Sequence, residues 1–559
     1  MLKKTILLIL LSFPVGLFAQ TAYQHIQDEP LYSFLDELSA IHVIDVNTAI
    51  KPYSRHQVAE WLTEAREQWQ DLSRAQQAKL DHYLNEFALE TSELKTGSAT
   101  LYSREDNFSM HLLPPEITYR DSLFRTVIRP IYGIRYFSSN DKDFFHSYGG
   151  AEATAYIGDR WSVYASLRDN YQNKVRLAEQ SFLTREQGGN YKGAGPGREG
   201  GDYSEMRGGI TYSWDWGSVG LIKDHVEWGD NHHGSNIFSG RTPSFAMIKL
   251  HMSPAEWLEF DYYHGWLVSE VIDSTRSYYI NDDQFKGVFK DKYIAANMYT
   301  FKPFDRFRLS IGNSIVYSDI DVQPVYLVPF SFFKSLAHTY SSGVLNHNSM
   351  MFANISSRQI KHLHLYFSVF IDEFATWRVG DPDKHNFTSY KGGFSVTGWP
   401  LDNLFLTGEI TRTTPMTYQH RVPSSTFETN RFNLGHYLRS NAAEYYGAIR
   451  YSPFGTLQLT ASYVHALKAN LYDYKYGADS PLDSNPVLQD KTWTNHTLSF
   501  RAELMPLPNM RLFVEYSDSN IQGYDVDDRT AQEYLDKFSP SYLHGDTETI
   551  SVGVKYGFN

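Results

Sequence analysis

The fold is decided by residues 548–559, which read ETISVGVKYGFN. Apolar or aromatic side chains alternate there with small or polar ones, so that one face carries Ile550, Val552, Val554, Tyr556 and Phe558. Strict alternation of this kind indicates a β-strand with one apolar and one polar face. An aromatic-rich strand of this type is typical of the closing strand of an outer-membrane β-barrel, and we expect a barrel-assembly machinery to recognise it.

The N-terminus indicates export. Lys3 and Lys4 precede an apolar run over residues 6–18, and Ala19 offers a small residue for cleavage, so we predict a signal peptide over residues 1–19. The chain contains no cysteine, which excludes disulfides, thiolate metal ligands and a lipid-modified cysteine anchor. No later segment is apolar for long enough to predict a transmembrane helix.

The charge and aromatic content limit the classes of function. A formal net charge of −13 argues against a nucleic-acid partner, because phosphates would find no basic surface. The chain has 40 Tyr, 35 Phe and 11 Trp, yet its mean hydropathy is −0.43. A barrel whose residues alternate between lipid and lumen has this composition, although soluble all-β proteins can also be rich in tyrosine.

The first part of the mature chain has a helical period. Apolar residues recur at helical spacing between residues 29 and 94, for example Leu31, Phe34, Leu35 and Leu38. Ser54 is the expected N-cap of a second helix. We therefore predict a helical domain over residues 20–96, a linker over 97–121 and the barrel over 122–559.

Within the barrel region the period is two. We predict eighteen antiparallel strands, beginning near 122–137 and ending near 547–558. Short turns alternate with long loops after the first hairpin, as in membrane barrels with periplasmic turns and extracellular loops. An even strand number then places both ends of the barrel, and with them the helical domain, on the periplasmic side. A barrel of this width needs filling or holds water. The helical domain and the apolar segment 319–348 are the candidates to fill it.

Aromatic side chains in the long loops are the candidate binding residues. Sugars are recognised by aromatic rings that stack on their C–H faces and by hydrogen bonds from carboxylates and amides. The candidates for polysaccharide binding are Trp228, Trp377, Tyr472, Tyr474 and Tyr476. The alternative role for such aromatics is a girdle at the membrane interface.

The sequence gives weaker indications of catalysis or metal binding. His233 and Ser235 have the spacing of an outer-membrane lipid hydrolase pair, and Asp230, His232 and His233 could ligate a metal. Both patterns are frequent in polar loops. We predict no catalytic residue, no metal site and no cofactor.

Several short motifs, in this order along the chain, resemble the Wzi capsule-assembly family in its Bacteroidetes-type branch. They are YSFLDEL at 32–38, KPYSR at 51–55, Trp228-Gly229, Ser239, and PSF at 243–245. The resemblance covers residues from about 28 to the C-terminus. It implies an eighteen-stranded outer-membrane barrel with a periplasmic helical bundle.

The same resemblance implies a non-enzymatic lectin that attaches capsular polysaccharide to the cell surface. Its expected partners are that or another surface polysaccharide and the lipid of the outer membrane. The alternatives are a gliding-motility or adhesion component on the same scaffold, an eighteen-stranded sugar porin, and the lipid hydrolase.

Overall fold

The computed structural model describes residues 20–91, 99–104, 107–140, 142–192, 200–281, 284–340, 346–474 and 482–557. The predicted signal peptide, Tyr476 and the last two residues lie outside these ranges.

Eighteen antiparallel strands form a closed barrel, which confirms the predicted fold class. We number them β1 to β18. The first nine are Phe124–Ser139, Lys142–Ile157, Trp161–Gln172, Gly201–Trp214, Gly217–Asp224, Phe245–Ala255, Leu258–Ile272, Phe289–Phe304 and Phe307–Ser318. The others are His347–Ser357, Leu363–Glu373, Phe387–Thr397, Leu404–Thr413, Ala442–Phe454, Leu457–Ala469, Lys491–Leu507, Met510–Gly523 and Gly545–Tyr556. The last strand closes the barrel by pairing with β1 from Thr549↔Ser139 to Tyr556↔Tyr132.

The closing strand shows how the two faces differ. Ile550 and Val552 point outward and are 55% and 42% exposed, whereas Thr549 and Ser551 point inward and are buried. Apolar side chains of the same outward parity are exposed all round the wall, among them Ile134, Leu167, Ile210, Leu221, Leu365, Phe394, Ile410, Ile449 and Val514. A continuous exposed apolar belt on a closed barrel is the surface that lipid covers in a membrane.

The helical domain consists of α1 (Glu29–Ala40), α2 (Arg55–Glu67), α3 (Arg74–Glu86) and the short α4 (Ala88–Thr91). Leu31, Leu35, Val58, Leu62 and Leu80 are among the side chains that form its core. Ser54 precedes α2 without a side-chain capping bond, whereas Ser73 and Gln76 form a capping box on α3. No helix in the described ranges is long and apolar enough to span a membrane.

The helical domain and the N-terminal segment 20–28 lie across the short-turn end of the barrel. Hydrogen bonds or ion pairs reach the ends of seven hairpins: Gln20–Trp161, Thr21–Ser213, Asn47–Glu259, Asp45–Arg308, His42–Arg358, Ser73–Asn403 and Asp28–Arg511. At the remaining hairpin, Gly455 packs directly on α3. The domain thus contacts all eight short turns.

The segment expected to be a linker, residues 97–121, is largely paired. Short strands at Ala99–Arg104, Phe108–Leu113 and Pro115–Arg120 form a meander. The last of them pairs with the lower half of β1, from Ile117↔Ile128 to Arg120↔Arg125. Because β18 pairs only with the upper half of β1, this meander occupies the vacant edge below it.

Part of the lumen is filled by the loop between β5 and β6. Two short strands of this loop, Glu227–Trp228 and Phe238–Ser239, pair with each other, and Glu227–Trp228 also pairs with Ile50–Lys51 of the helical domain. The loop is held to the wall from inside, where Glu409 accepts hydrogen bonds from the backbone N–H groups of His232 and His233. An apolar core between this loop and the wall fills the lumen here.

The segment 319–348 does not fill the lumen, and this prediction is wrong. Residues 320–340 of this segment lie on the outer face of β6 to β10, where Tyr326 and Phe333 are buried against Tyr262, Ile315 and Tyr317. An apolar run can pack equally well in an apolar lumen or on an apolar outer wall. Its periodicity alone therefore did not distinguish these two positions.

Candidate functional site

Apart from the inward-folded loop between β5 and β6 and the segment after β9 on the outer wall, the long loops emerge at the end of the barrel opposite the helical domain. Two of them, between β11 and β12 and between β15 and β16, meet through Arg378 and Asp483. Trp377 lies at this junction, on the short 3₁₀ turn Thr376–Arg378. Its side chain is 58% exposed, so an indole ring is presented to the outside.

Two cations lie against the Trp377 ring. The Nζ of Lys384 is 4.4 Å from the ring centroid, and the guanidinium carbon of Arg378 is 5.0 Å from it. Cations at this distance interact with the electron-rich face of an indole and restrict its rotation. The ring is therefore held in place while more than half of its surface stays accessible.

Arg378 fixes the geometry below the ring. Its Nη2 donates to Glu373 Oε1 at 2.8 Å and its Nε donates to Asp483 Oδ2 at 2.9 Å. The backbone N–H of His385 donates to the carbonyl oxygen of Asp483 at 2.9 Å. Among the described residues, Arg378 Nη1, Asp483 Oδ1 and His385 Nε2 have no hydrogen-bond partner. These three atoms are buried and do not face a ligand, so the exposed indole ring, with the Lys384 ammonium group beside it, is the part of this cluster on which a sugar can stack.

Two of the tyrosine candidates lie in the neighbouring loop. Tyr474 is half-buried, and burial together with the carboxylates of Asp372 and Glu373 raises the pKa of its hydroxyl. The Tyr472 hydroxyl donates to the carbonyl oxygen of Pro486 at 3.4 Å. Tyr476 lies outside the described residues, and residues 471–474 form no regular strand, so polysaccharide binding by these three tyrosines remains a prediction.

Trp228 does not belong to this surface, which corrects its selection as a binding residue. Its side chain is 0% exposed in the inward-folded loop. The ring makes edge contacts with Phe238 and Tyr263 at centroid separations of 5.3 Å each. A residue so enclosed supports the lumen core and cannot contact a glycan from outside.

A second exposed aromatic patch was missed by the sequence reasoning. The loop between β7 and β8 forms a hairpin from Tyr278–Asn281 and Gln284–Lys286. Tyr278, Tyr279 and Phe285 are 57%, 68% and 50% exposed, and the rings of Tyr279 and Phe285 lie 5.1 Å apart. The sequence signal for this patch is the adjacent pair Tyr278-Tyr279.

The hydrolase alternative lacks its required contact. The Ser235 hydroxyl donates to the carbonyl oxygen of Trp228 and accepts the backbone N–H of Ile237 at 3.0 Å. His233 stacks instead on Tyr446, with ring centroids 4.2 Å apart, and its Nδ1 lies 3.1 Å from Glu444 Oε1. Within the described residues, no histidine therefore activates Ser235.

Two buried groups have the composition of metal sites. In the first, His25 and His225 both direct Nε2 at Glu205 Oε1, at 3.4 and 2.9 Å. The Arg168 guanidinium donates to the other Glu205 oxygen at 2.6 Å, so a cation already compensates this carboxylate. Burial, reinforced by Arg207, lowers the pKa of His25 to about 3, which leaves it neutral. Its Nδ1 accepts the N–H of Gln27, so Nε2 carries the proton and cannot ligate a metal.

The second group, Asp36, His232 and His364, has the same character. Arg358 donates to Asp36 Oδ1 and, at 2.9 Å, to His364 Nδ1. Because the Arg358 guanidinium already bonds these ligand atoms, the three residues form a polar link between α1 and the wall.

The remaining lumen contains a polar cavity of about 670 Å³. It lies between α1 and the wall formed by β14 to β18 and β1 to β4. Hydroxyl and amide side chains form much of the wall, including Thr460, Ser462, Asn495, Thr497, Ser499, Ser517, Ser519 and Thr549. Arg501 bridges Glu503 and Glu515 inside it. The helical domain bounds the cavity at the short-turn end.

These features define a class of protein: a membrane β-barrel of eighteen strands, covered at one end by its own helical domain and carrying aromatic loops at the other. The outer membrane is the compartment that this fold and the apolar belt indicate.

Among solved structures, the chain is similar to Wzi of Escherichia coli, described as an outer membrane protein involved in group 1 capsule assembly and a carbohydrate-binding β-barrel. The identity is 12% and the TM-score 0.54, over 97% of this chain and 100% of that one. The chain is also similar to OccD3 (OpdP) of Pseudomonas aeruginosa, with 11% identity and a TM-score of 0.42 over 78% of this chain and 90% of that one. No protein-family model matches the chain, and no curated protein matches it in sequence.

Proposed function

We propose that this chain is an outer-membrane lectin-like protein of capsule assembly, which attaches capsular polysaccharide to the cell surface. The observation that carries the proposal is the exposed Trp377 ring in the outer loops, held in place by Lys384 and Arg378. The barrel fold shared with a carbohydrate-binding barrel of capsule assembly supports it.

The proposal includes an orientation. Residues 1–19 are removed on export, a barrel-assembly machinery inserts the mature chain, and the helical domain faces the periplasm. The long loops then face outward, where the polysaccharide lies. In this role the helical domain does not need to open. It serves as a support that contacts all eight short turns.

A sugar porin is the second candidate, and the polar cavity of about 670 Å³ is the observation that favours it. The cover of helices over the short-turn end counts against it, since a solute would have to pass between α1 and the wall. A motility or adhesion role would use the same outer loops without a requirement for capsular polysaccharide.

The experiment that tests the lectin proposal is glycan binding by a Trp377→Ala variant. Loss of the ring removes one stacking contact from an extended interface, so we expect a several-fold weaker affinity, on the order of 1 kcal/mol. Binding of the purified protein to its own surface polysaccharide would be measured in detergent by calorimetry.

Trp257→Ala is the matched control. Trp257 is 56% exposed, nearly as much as Trp377, but it lies in a short turn at the opposite end of the barrel. The control should bind like the unchanged protein. Equal affinities for all three proteins would remove Trp377 from the site, and no binding by the unchanged protein would favour the porin or motility roles.

A further inference from the structure

The segment 319–340, which we call the wall strap, covers outward-facing positions of the barrel wall. Register pairs Tyr262 with Asn297 and Asn297 with Asn313, so all three side chains project from the same face. Their inward neighbours, such as Tyr263 and Val316, belong to the lumen core. Nevertheless Tyr262, Asn297 and Asn313 are at most 7% exposed. Equivalent outward positions elsewhere, such as Leu365 at 46%, are open.

Polar side chains of the outer wall bond the backbone of the strap. Asn297 Nδ2 donates to the carbonyl oxygens of Pro329 and Ser331, at 2.7 and 2.9 Å. The hydroxyls of Tyr262 and Tyr299 donate to the carbonyl oxygens of Tyr326 and Phe330, at 2.8 and 3.2 Å. The backbone N–H of Phe333 donates to Asn313 Oδ1 at 2.8 Å, and that of Gln323 donates to the Tyr317 hydroxyl at 3.3 Å.

These hydrogen bonds satisfy polar groups that would have no partner in the hydrocarbon of a membrane. Irregular backbone is tolerated at membrane depth only when protein groups satisfy its N–H and carbonyl groups, because lipid supplies no hydrogen bonds. Asparagines on a lipid-facing wall are equally unfavourable without partners. In the membrane, the wall and the strap therefore supply each other's hydrogen-bond partners. In water, solvent could supply those partners instead.

The strap reaches deep along the wall. The Phe330 ring lies 4.8 Å from the ring of Phe260, which is only two residues from the short-turn start of β7. The chain then turns back, and the helix Phe333–Tyr340, which we call α5, leads toward the long-loop end. The strap thus enters along the outer wall and returns on the same side.

Between Leu327 and Phe332, the face of the strap away from the wall is apolar. Leu327, Val328, Phe330 and Phe332 are 40%, 49%, 57% and 48% exposed. On the adjoining wall, outward Ile311 and Ile355 are 49% and 39% exposed, so the strap continues the apolar belt of the barrel. In a membrane, lipid acyl chains cover that belt. The strap continues the belt, so the same acyl chains are the expected occupant of its apolar face.

We propose that the wall strap is a re-entrant membrane element whose Leu327–Phe332 ridge binds the acyl chains of outer-membrane lipid. This lipid site is separate from glycan binding by the long loops and does not depend on it.

Site-directed spin labelling tests the proposal. The chain has no native cysteine, so an introduced cysteine would be the only residue that the label modifies. Leu327→Cys and Phe332→Cys would be labelled with a nitroxide in the full protein, reconstituted in phospholipid vesicles. Collisions with dissolved oxygen report lipid, and collisions with a water-soluble nickel chelate report water. Leu365→Cys on the open wall is the lipid reference, and Asp305→Cys, fully exposed in a short turn, is the water reference.

We expect both strap labels to resemble Leu365→Cys, with high oxygen accessibility and nickel accessibility several-fold below that of Asp305→Cys. Nickel accessibility equal to that of Asp305→Cys would place the strap in water and overturn the proposal. Low accessibility to both reagents would mean that protein covers the ridge, which would overturn lipid as the occupant. Heat-dependent gel mobility would verify that every labelled barrel is folded.

Discussion

At the scale of single residues, Glu86 of the helical domain has a buried and poorly compensated carboxyl group. It lies on α3, is 1% exposed, and neither carboxylate oxygen has a hydrogen-bond partner among the described residues. Burial, followed by repulsion from Asp28, raises its pKa to about 7. The folded protein therefore favours the protonated form of Glu86 more than the unfolded chain does.

The pH dependence follows from the sign of this shift. A carboxyl with a raised folded pKa contributes stability that is complete below its unfolded pKa of 4.5 and is lost as the pH rises to about 7. Glu86→Gln removes this loss, so at pH 8 the variant should be more stable by on the order of 2 kcal/mol. Its advantage should shrink as the pH approaches 4.5.

Thermal denaturation followed by helical circular dichroism at pH 5 and pH 8 would measure the effect. Glu67→Gln, at an exposed position of α2, is the matched control and should follow the unchanged protein at both values. If the advantage of Glu86→Gln were equal at pH 5 and pH 8, ionisation of Glu86 would not be its cause.

At the scale of elements, α3 packs directly on the turn after β14. A Cβ atom at Gly455 would lie 2.4 Å from the Cβ of Ala78 and 2.6 Å from the carbonyl oxygen of Ala75. These distances are below van der Waals contact, and the opposing atoms belong to a helix that cannot yield locally. Only a glycine allows α3 to seat here.

Gly455→Val should therefore displace α3 and loosen the cover over the short-turn end. Recordings in planar bilayers should show little conductance for the intact protein and larger or more frequent openings for the variant. Gly149→Val is the control, because a Cβ at Gly149 meets nothing within 4 Å. Large, stable pores in the intact protein would instead support the porin candidate.

At the scale of the whole molecule, the two ends of the barrel differ in structure. The helical domain contacts every short turn, and the loop carrying Trp228 ties that domain to the middle of the lumen. The long loops are supported from below by this filled interior. A rigid platform limits the ordering cost when an extended polymer binds at its rim.

If that platform holds capsule at the surface, deletion of the gene should release surface glycan into the medium without stopping its synthesis. Glycan in cell-bound and medium fractions would be compared between the deleted strain, the strain complemented with the unchanged gene, and the strain complemented with Trp257→Ala. Both complementations should restore attachment. Full attachment in the deleted strain would contradict the lectin proposal.

Much of the architecture could be predicted from the sequence because it depends on local alternation. Strand 548–556 shows its two faces in every second residue, and the same period marked all eighteen strands to within a few residues. Loop lengths then fixed which ends of the strands lie together. The exposed position of Trp377 also followed, since it lies in a long loop beside charged residues.

Only the tertiary structure decided where apolar segments that lack a period are buried. Trp228 turned inward because the loop between β5 and β6 pairs with Ile50–Lys51, a partner about 180 residues away in the sequence. The strap lies outside the barrel because Asn297 and Asn313 offer hydrogen bonds on the outer wall. Those two asparagines, at outward positions of predicted strands, were the available signal. Hydrophobicity drives burial without direction, so the sequence determined the barrel, and the pairing of distant polar groups determined what fills it and what lies against it.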